Sequence, residues 1–281
     1  MTTTHLAGLF ATLFDDAAMY PPAATELPEA VRAHALHRVA WYADMVGPFV
    51  CNAERLRVLD AEVRSLDLSS LDVALVVPAG LEEVPAAIAG ADRCPSLRVR
   101  AIEIPIGAHG RLEVLRALEP LVQRAVVYLE IPVLSVTERH VHDLNAAGLR
   151  LKLRTGGTSI DAFRTEKELA RPILLCAAER LAFKCTAGLH HAVRGRDPQS
   201  RFEHHGFLNI MLAARTAAAT GNLVATAEAL GERDRNAVAY RISDLTPADV
   251  IAIRALFASF GTCSVDEPVA DLMSMRLVAA P

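Results

Sequence analysis

Short runs rich in β-branched and aliphatic residues alternate along the chain with longer segments of helical periodicity. Pro48 to Asn52, Asp72 to Pro78, Leu97 to Ile106, Ala125 to Val133, Leu149 to Arg154 and Leu181 to Thr186 read as strands. Between them, Pro28 to Ala43, Leu81 to Ala89, Gly110 to Leu121, Val136 to Ala147 and Thr165 to Arg180 read as amphipathic helices. Such alternation predicts a parallel sheet covered by helices. Closing the sheet removes the unpaired edges that an open one must protect, so the expected fold is an α/β protein of the (β/α)8 TIM-barrel type. The two strands still needed are placed at Leu13 to Ala17 and Phe207 to Ile210.

Local signals refine this. Thr165-Glu166-Lys167-Glu168 has the spacing of a capping box, in which hydroxyl and carboxylate each take a free amide of the first helical turn. Pro172, deeper in that segment, allows a kink or a later start. Beyond Arg215 the chain is Ala-rich, so residues 215–281 are expected as a helical closing segment of one domain spanning 1–281. Thr246 to Phe260 reads as one helix, and Ser264 with Glu267 as the start of another. Barrel closure by this tail is the alternative.

Face alternation then selects the chemistry. In Leu149-Arg150-Leu151-Lys152-Leu153-Arg154 the leucines share one face and the basic residues the other. The outer face of a barrel takes the leucines, which aims Lys152 and Arg154 inward near the C-terminal strand ends, where barrel active sites form. By the same logic Lys184 and Thr186 point inward from the next strand, with Phe183 and Cys185 outward. Glu103 and Glu130 occupy equivalent strand ends, in a weak repeat of Ala101 to Ile106 at Tyr128 to Val133, 27 residues later. Two lysines at one level need an explanation, because burying an unpaired ammonium is costly. One is an imine-forming nucleophile whose pKa is lowered by desolvation and a neighbouring cation. The other is an ion-pair layer in which Glu103 and Glu130 neutralise both lysines. The two are compatible, since a carboxylate beside an imine lysine can accept a proton.

Four of the ten histidines, His190, His191, His204 and His205, fall within 16 residues. They are candidates for acid/base work or substrate contact. With Asp16 and the glutamates, His190, His191 and His205 are also the candidate ligands of a divalent metal such as zinc or manganese, although the spacing matches no standard zinc signature. Asp15 and Asp16 end the first strand, where turn capping and catalysis compete. Thr155, Gly156 and Gly157, leading on to Thr158 and Ser159, follow Arg154 and could cradle an anion.

Composition changes the picture only by exclusion. With 52% hydrophobic and 22% charged residues the chain can bury a large core. The net charge of −4, with no basic run interleaved with aromatics, argues against nucleic acid or an anionic membrane surface as partner. A small-molecule substrate is expected, and a homo-oligomer is left open. Met1 to His5 begins no basic-then-apolar leader, and no stretch approaches the roughly 18 apolar residues of a membrane span, so a cytoplasmic location is expected. Five scattered cysteines without a C-x-x-C pair read as reduced.

Two resemblances add to this reading. Phe14 to Pro22, Lys152 to Gly157, Lys184 to His191, His205 to Asn209 and Phe260 to Ser264 together resemble segments of a family of bacterial proteins to which no activity is attached; the likeness groups these segments, Thr186, His205 and Asn209 included, into one candidate site. Lys184-Cys185-Thr186-Ala187-Gly188 is similar to the Lys-Thr-Ser-Thr-Gly strand end that carries the imine lysine in the deoxyribose-phosphate aldolases, barrels with a second lysine on the neighbouring strand. The strand order departs, and that family lacks the His-His pair, which leaves the nucleophile open between Lys184 and Lys152. The resemblance implies a lyase of the aldolase type, without a cofactor, acting on a small oxo-acid or phosphorylated carbonyl compound. Lys184 would form the imine and Lys152 lower its pKa. Glu130 or Glu103 would move the proton, His190 or His191 polarise a hydroxyl, and Arg154 with Gly156 and Gly157 hold an anionic group. A metal-dependent hydrolase or lyase and a barrel that only binds its ligand are the alternatives.

Overall fold

A computed structural model describes residues 4–107, 111–157, 159–197 and 201–280. Thr158 of the expected anion loop and Gly110 at the start of an expected helix lie outside the described residues.

Eight parallel strands close into a barrel. They are β1 (Phe14–Asp16), β2 (Val46–Asn52), β3 (Leu71–Val76), β4 (Leu97–Pro105), β5 (Val126–Glu130), β6 (Arg150–Arg154), β7 (Phe183–Thr186) and β8 (Phe257–Thr262). Each pairs with its neighbours in chain order, and β8 lies between β7 and β1. The TIM-barrel expectation therefore holds, and so do all the predicted strands but one.

The exception is the eighth. Phe207 to Ile210 is not a strand but the first turn of a helix, Phe207–Thr220, in which Phe207 to Ala214 are all buried. A helix buried on every side has no amphipathic period, so its apolar run imitates a core strand. Phe207 instead covers the β1–β8 seam from outside, stacked on Phe260 with ring centroids 5.0 Å apart and edge-on to Phe14 at 5.8 Å. The real eighth strand begins within the expected helix Thr246 to Phe260 and runs on past it to Thr262. The helix Pro247–Leu256 passes into β8 at Phe257 without a connecting residue, and nothing between Pro247 and Gly261 punctuates the change. The segment after Arg215 is thus not purely helical.

The other elements follow their local signals. Thr165 Oγ1 accepts from the Glu168 amide at 3.3 Å while Glu168 Oε2 accepts from the Thr165 amide at 2.8 Å, and the helix Glu166–Glu179 runs through Pro172. The helix Asp266–Ser274 begins beside Ser264, whose Oγ accepts from the Glu267 amide at 3.3 Å. Between β7 and Phe207 the chain makes an excursion containing a short antiparallel pair, Gly195–Arg196 with Glu203–His204.

Most of the core lies between strands and helices. Inside the barrel there is only a small apolar cluster among the described residues, Val50, Ala74, Ala101 and Tyr128. Polar groups fill the C-terminal half above it. Below it, at the N-terminal strand ends, an open cavity of about 590 Å³ extends up to Asp15, Tyr128 and Ser259.

Candidate active site

Residues at the C-terminal half of the barrel interior join in one chain of alternating charge. Lys152 and Lys184 are register partners on β6 and β7, so their side chains enter the barrel at the same level, as face alternation requires. Lys184 Nζ donates to Asp15 of β1 and to Glu103 of β4. Glu103 also takes Lys152 Nζ at 2.7 Å, and Lys152 reaches Glu130 of β5 at 2.9 Å. The other Glu130 oxygen accepts from Arg154 Nε at 2.8 Å. The order Asp15, Lys184, Glu103, Lys152, Glu130, Arg154 runs from the closed interior to solvent: the Lys184 side chain is 1% exposed, that of Glu130 18% and that of Arg154 51%.

Three acids and three bases neutralise one another, which is the condition for burying so many charges. Burial would raise the Glu103 pKa, but the two ammonium groups pull it down to about 2. Glu130 is likewise held below the ordinary carboxyl range, its burial outweighed by Lys152 and Arg154. Burial would lower the Lys184 pKa, yet Asp15 and Glu103 hold it above the usual lysine range. Asp15 alone among these three carboxyls is raised, because burial outweighs the attraction of Lys184. The ammonium of Lys184 also sits 5.3 Å over the Tyr128 ring, and Ser259 Oγ donates to Asp15 Oδ2 at 2.8 Å. Neither Ser259 nor Tyr128 was legible as a site residue: Ser259 belongs to the strand that periodicity conceals, and Tyr128 has the pattern of any strand aromatic.

The remaining expected site residues divide into several groups. Asp16 faces outward, where it pairs with His34 of the helix Leu27–His37 at 2.9 Å and caps the Ala18 amide at 3.1 Å. Thr155 fastens the loop after β6 to the loop after β7, its hydroxyl donating to the Ala187 carbonyl at 2.6 Å and its amide to that of Thr186 at 2.9 Å. Gly156 belongs to the same contact: a Cβ there would lie 2.9 Å from Gly188 Cα and 2.8 Å from the Phe163 ring. At Gly157 a Cβ would lie 2.8 Å from that of Ala162. Close packing thus accounts for both glycines, and of the expected anion cradle Arg154 is the charged member. Thr186 ends β7 beside Gly261 of β8.

The four histidines do not share one site, although the rings of His190 and His204 lie 5.8 Å apart. His190 Nδ1 lies 3.5 Å from Cys263 Sγ and 3.3 Å from Glu267, and the acceptors, outweighing its burial, raise its pKa to about 10. His191 pairs with Asp271 at 3.2 Å. His204 stacks on Phe163. His205 is buried among Arg194, at 2.9 Å from Nδ1, and the Arg164 carbonyl, at 2.8 Å from Nε2. Since a guanidinium can only donate, Nδ1 is the acceptor and Nε2 carries the proton. Burial and Arg194 lower the His205 pKa to about 4. Asn209 is a buried brace: Oδ1 accepts from the Arg194 amide at 2.8 Å and Nδ2 donates to the carbonyls of Ala229 and Glu232 at 3.0 and 2.9 Å. The expected metal set His190, His191, His205 and Asp16 is therefore dispersed among separate partners, and among the described residues no three His, Cys, Asp or Glu side chains group to hold a metal ion.

No family model matches the chain, and neither does any curated protein. Among solved structures the barrel is similar to QR15, described as an aldolase, with a TM-score of 0.50 and 13% identity over 95% of this chain and 97% of that one. It is also aligned with two structures of dihydropteroate synthase from Xanthomonas albilineans, each with a TM-score of 0.44. The complex with indole-2-carboxylic acid and 6-chloroguanine is 13% identical over 97% of this chain and 96% of that one. The complex with 7,8-dihydropteroate is 15% identical over 97% and 95%. At these identities the likeness to the aldolase establishes the TIM-barrel fold alone.

Proposed function

We propose that this chain is a lyase of the aldolase type whose nucleophile is the Lys152 amine, acting on a small oxo-acid or phosphorylated carbonyl compound at the C-terminal mouth. The observation that carries this reading is the position of the two lysines along one charge chain. Lys184 is enclosed by Asp15, Glu103 and Tyr128 and is held protonated. Lys152, its side chain 5% exposed, stands two places nearer solvent along that chain, next to Glu130 and two places before Arg154. The assignment suggested by the Lys-x-Thr-x-Gly likeness is thereby exchanged: Lys152 attacks the carbonyl, and Lys184 supplies the fixed positive charge.

The amine must first lose its proton. Of the two carboxylates that touch the Lys152 ammonium, Glu130 is the one in place to take that proton, because Glu103 is shared with Lys184 and its pKa is held down to about 2. The amine then adds to the carbonyl carbon, and loss of water gives the imine, which withdraws electrons from the carbon–carbon bond to be broken. Arg154 is placed to meet an anionic group on the substrate. The fold likeness to an aldolase agrees with this chemistry but adds no residue to it.

A second reading is a barrel that binds its ligand without covalent chemistry. It is favoured by the pairing of both lysines with carboxylates, which keeps each amine occupied in the resting protein. Borohydride reduction in the presence of a panel of small aldehydes and oxo-acids, followed by peptide mass mapping, separates the two. A reduced adduct on Lys152, absent from Lys152→Met, is expected. A folded protein that forms no adduct with any member of the panel would leave the binding barrel as the reading, and an adduct on Lys184 would reverse the assignment.

A further inference from the structure

We infer that the opposite, N-terminal end of the barrel is a binding site for a phosphate-bearing small molecule, distinct from the lysine mouth. The cavity there, about 590 Å³, falls within the roughly 300–1,000 Å³ typical of small-molecule pockets. It exists because the lower interior is built from small side chains, among them Gly47, Ala101, Ala258 and Ser259. A TIM-barrel interior is ordinarily filled by branched residues, so space at this end is a departure that needs an explanation.

The wall is cationic although the chain carries a net charge of −4. Five arginines line it: Arg38, Arg98, Arg100, Arg150 and Arg254. Arg38 and Arg254 spend donors on backbone carbonyls, those of Ala43 and Val46 and those of Phe257 and Ala11. The other three rise from the first residues of β4 and β6. Arg98 and Arg100 both direct Nε at one oxygen of Asp72, at 2.7 and 3.1 Å, which leaves the rest of each guanidinium fork unspent on that carboxylate. Arg150 donates to the Tyr128 hydroxyl at 3.3 Å. Among the described residues, three guanidinium charges therefore face one carboxylate, an excess of two. A phosphate monoester carries nearly two negative charges at neutral pH and offers oxygens for forked donors, whereas a monocarboxylate carries one. Asp15 on the cavity ceiling is taken by Lys184, which places an anionic head at the arginine rim and an uncharged body deeper, against Ala101, Val126 and Ala258.

Isothermal titration with inorganic phosphate and pyrophosphate, at ionic strength matched with chloride, tests the head-group site. The wild-type chain is expected to bind an anion saturably at the rim, apart from any anion held at Arg154 of the mouth. Arg98→Gln/Arg150→Gln should weaken binding at least tenfold, and so should Arg100→Gln, an exposed position that leaves folding undisturbed. Arg154→Gln, at the other end of the barrel, should leave the binding that depends on the arginine rim unchanged. The inference is overturned by the absence of saturable binding, by citrate binding where neither phosphate does, or by binding that survives the rim substitutions and is lost in Arg154→Gln. Because this titration needs no covalent chemistry, it succeeds or fails independently of borohydride trapping at Lys152.

Discussion

The two ends of one barrel solve the same problem, how to line the inside of a closed sheet, in opposite ways. The C-terminal half is filled with long charged side chains that satisfy one another, Asp15 to Arg154 in alternating sign. The N-terminal half is left open by small side chains and rimmed with guanidinium groups that exceed their carboxylates among the described residues. The first arrangement pairs every one of its charges, and the second keeps an excess of positive charge among the described residues. In the reading proposed above, the neutral network holds the chemistry and the charge excess around the cavity receives the anion.

Removing one charge at each end separates these cases most sharply. Glu103→Gln takes away the carboxylate shared by two buried lysines, and breaking a buried pair by one partner costs about 3–5 kcal/mol. Arg98→Gln removes a charge that is more than half exposed, which typically costs under ~1 kcal/mol. Denaturant midpoints at neutral pH measure both. Equal costs would show that the upper network is screened by solvent like the lower rim, and would end the argument that it is a buried layer.

Acid should next separate two buried groups on the C-terminal side, His205 and Glu103. His205 titrates near 4 in the folded chain and near 6.5 unfolded, so between these values the unfolded state holds a proton that the native state refuses. Stability accordingly falls as pH drops from 6.5 to about 4, by an amount on the order of 3 kcal/mol. Glu103, depressed to about 2, contributes stability that is present above its unfolded value near 4.5 and lost as pH falls further. His205→Gln keeps an acceptor for Arg194 and a donor for the Arg164 carbonyl, so it should flatten the first step and leave the second. A stability curve in which His205→Gln retains the slope between pH 6.5 and 4 would locate that titration elsewhere.

How far all this was legible depends on the range of the signal. Alternation within one strand is local, so Lys152, Lys184 and Arg154 could be aimed inward from the sequence, and Glu103 and Glu130 named as their partners. Asp15 was visible only as a strand end, because its lysine lies 169 residues away across the β1–β8 seam. The sequence hides that seam for a physical reason. Phe257 to Thr262 follows a helix with no turn between, while Phe207 to Ile210 is buried on every side, so periodicity exchanged the two. The lower cavity was missed because it is made of absences: Ala101 and Ala258 are conspicuous only when the closed barrel shows what they fail to fill. Arg98 and Arg100 carried a readable signal, two arginines spaced for one strand face, but one with the pattern of an ordinary solvated edge.

The smallest expected difference concerns added methyl groups. At the mouth, Gly156→Ala would put a Cβ 2.9 Å from the Gly188 backbone and 2.8 Å from the Phe163 ring. Overpacking of this kind costs about 1–3 kcal/mol. It would also push apart the two loops that follow β6 and β7, the strands carrying Lys152 and Lys184. At the other end, Ala101 lines open space, and a branched side chain suits a strand, so Ala101→Val should change the unfolding free energy by no more than about 0.5 kcal/mol. If the cavity takes a ligand, the same substitution has a further effect. The added methyls occupy space that the uncharged body of the ligand would use, while the arginine rim is untouched. Binding of inorganic phosphate should then survive in Ala101→Val, and any larger phosphate monoester that binds the wild-type chain should bind more weakly. A cost at Ala101 equal to that at Gly156 would mean that the lower half is as closely packed as the upper, and the contrast between the two ends would disappear.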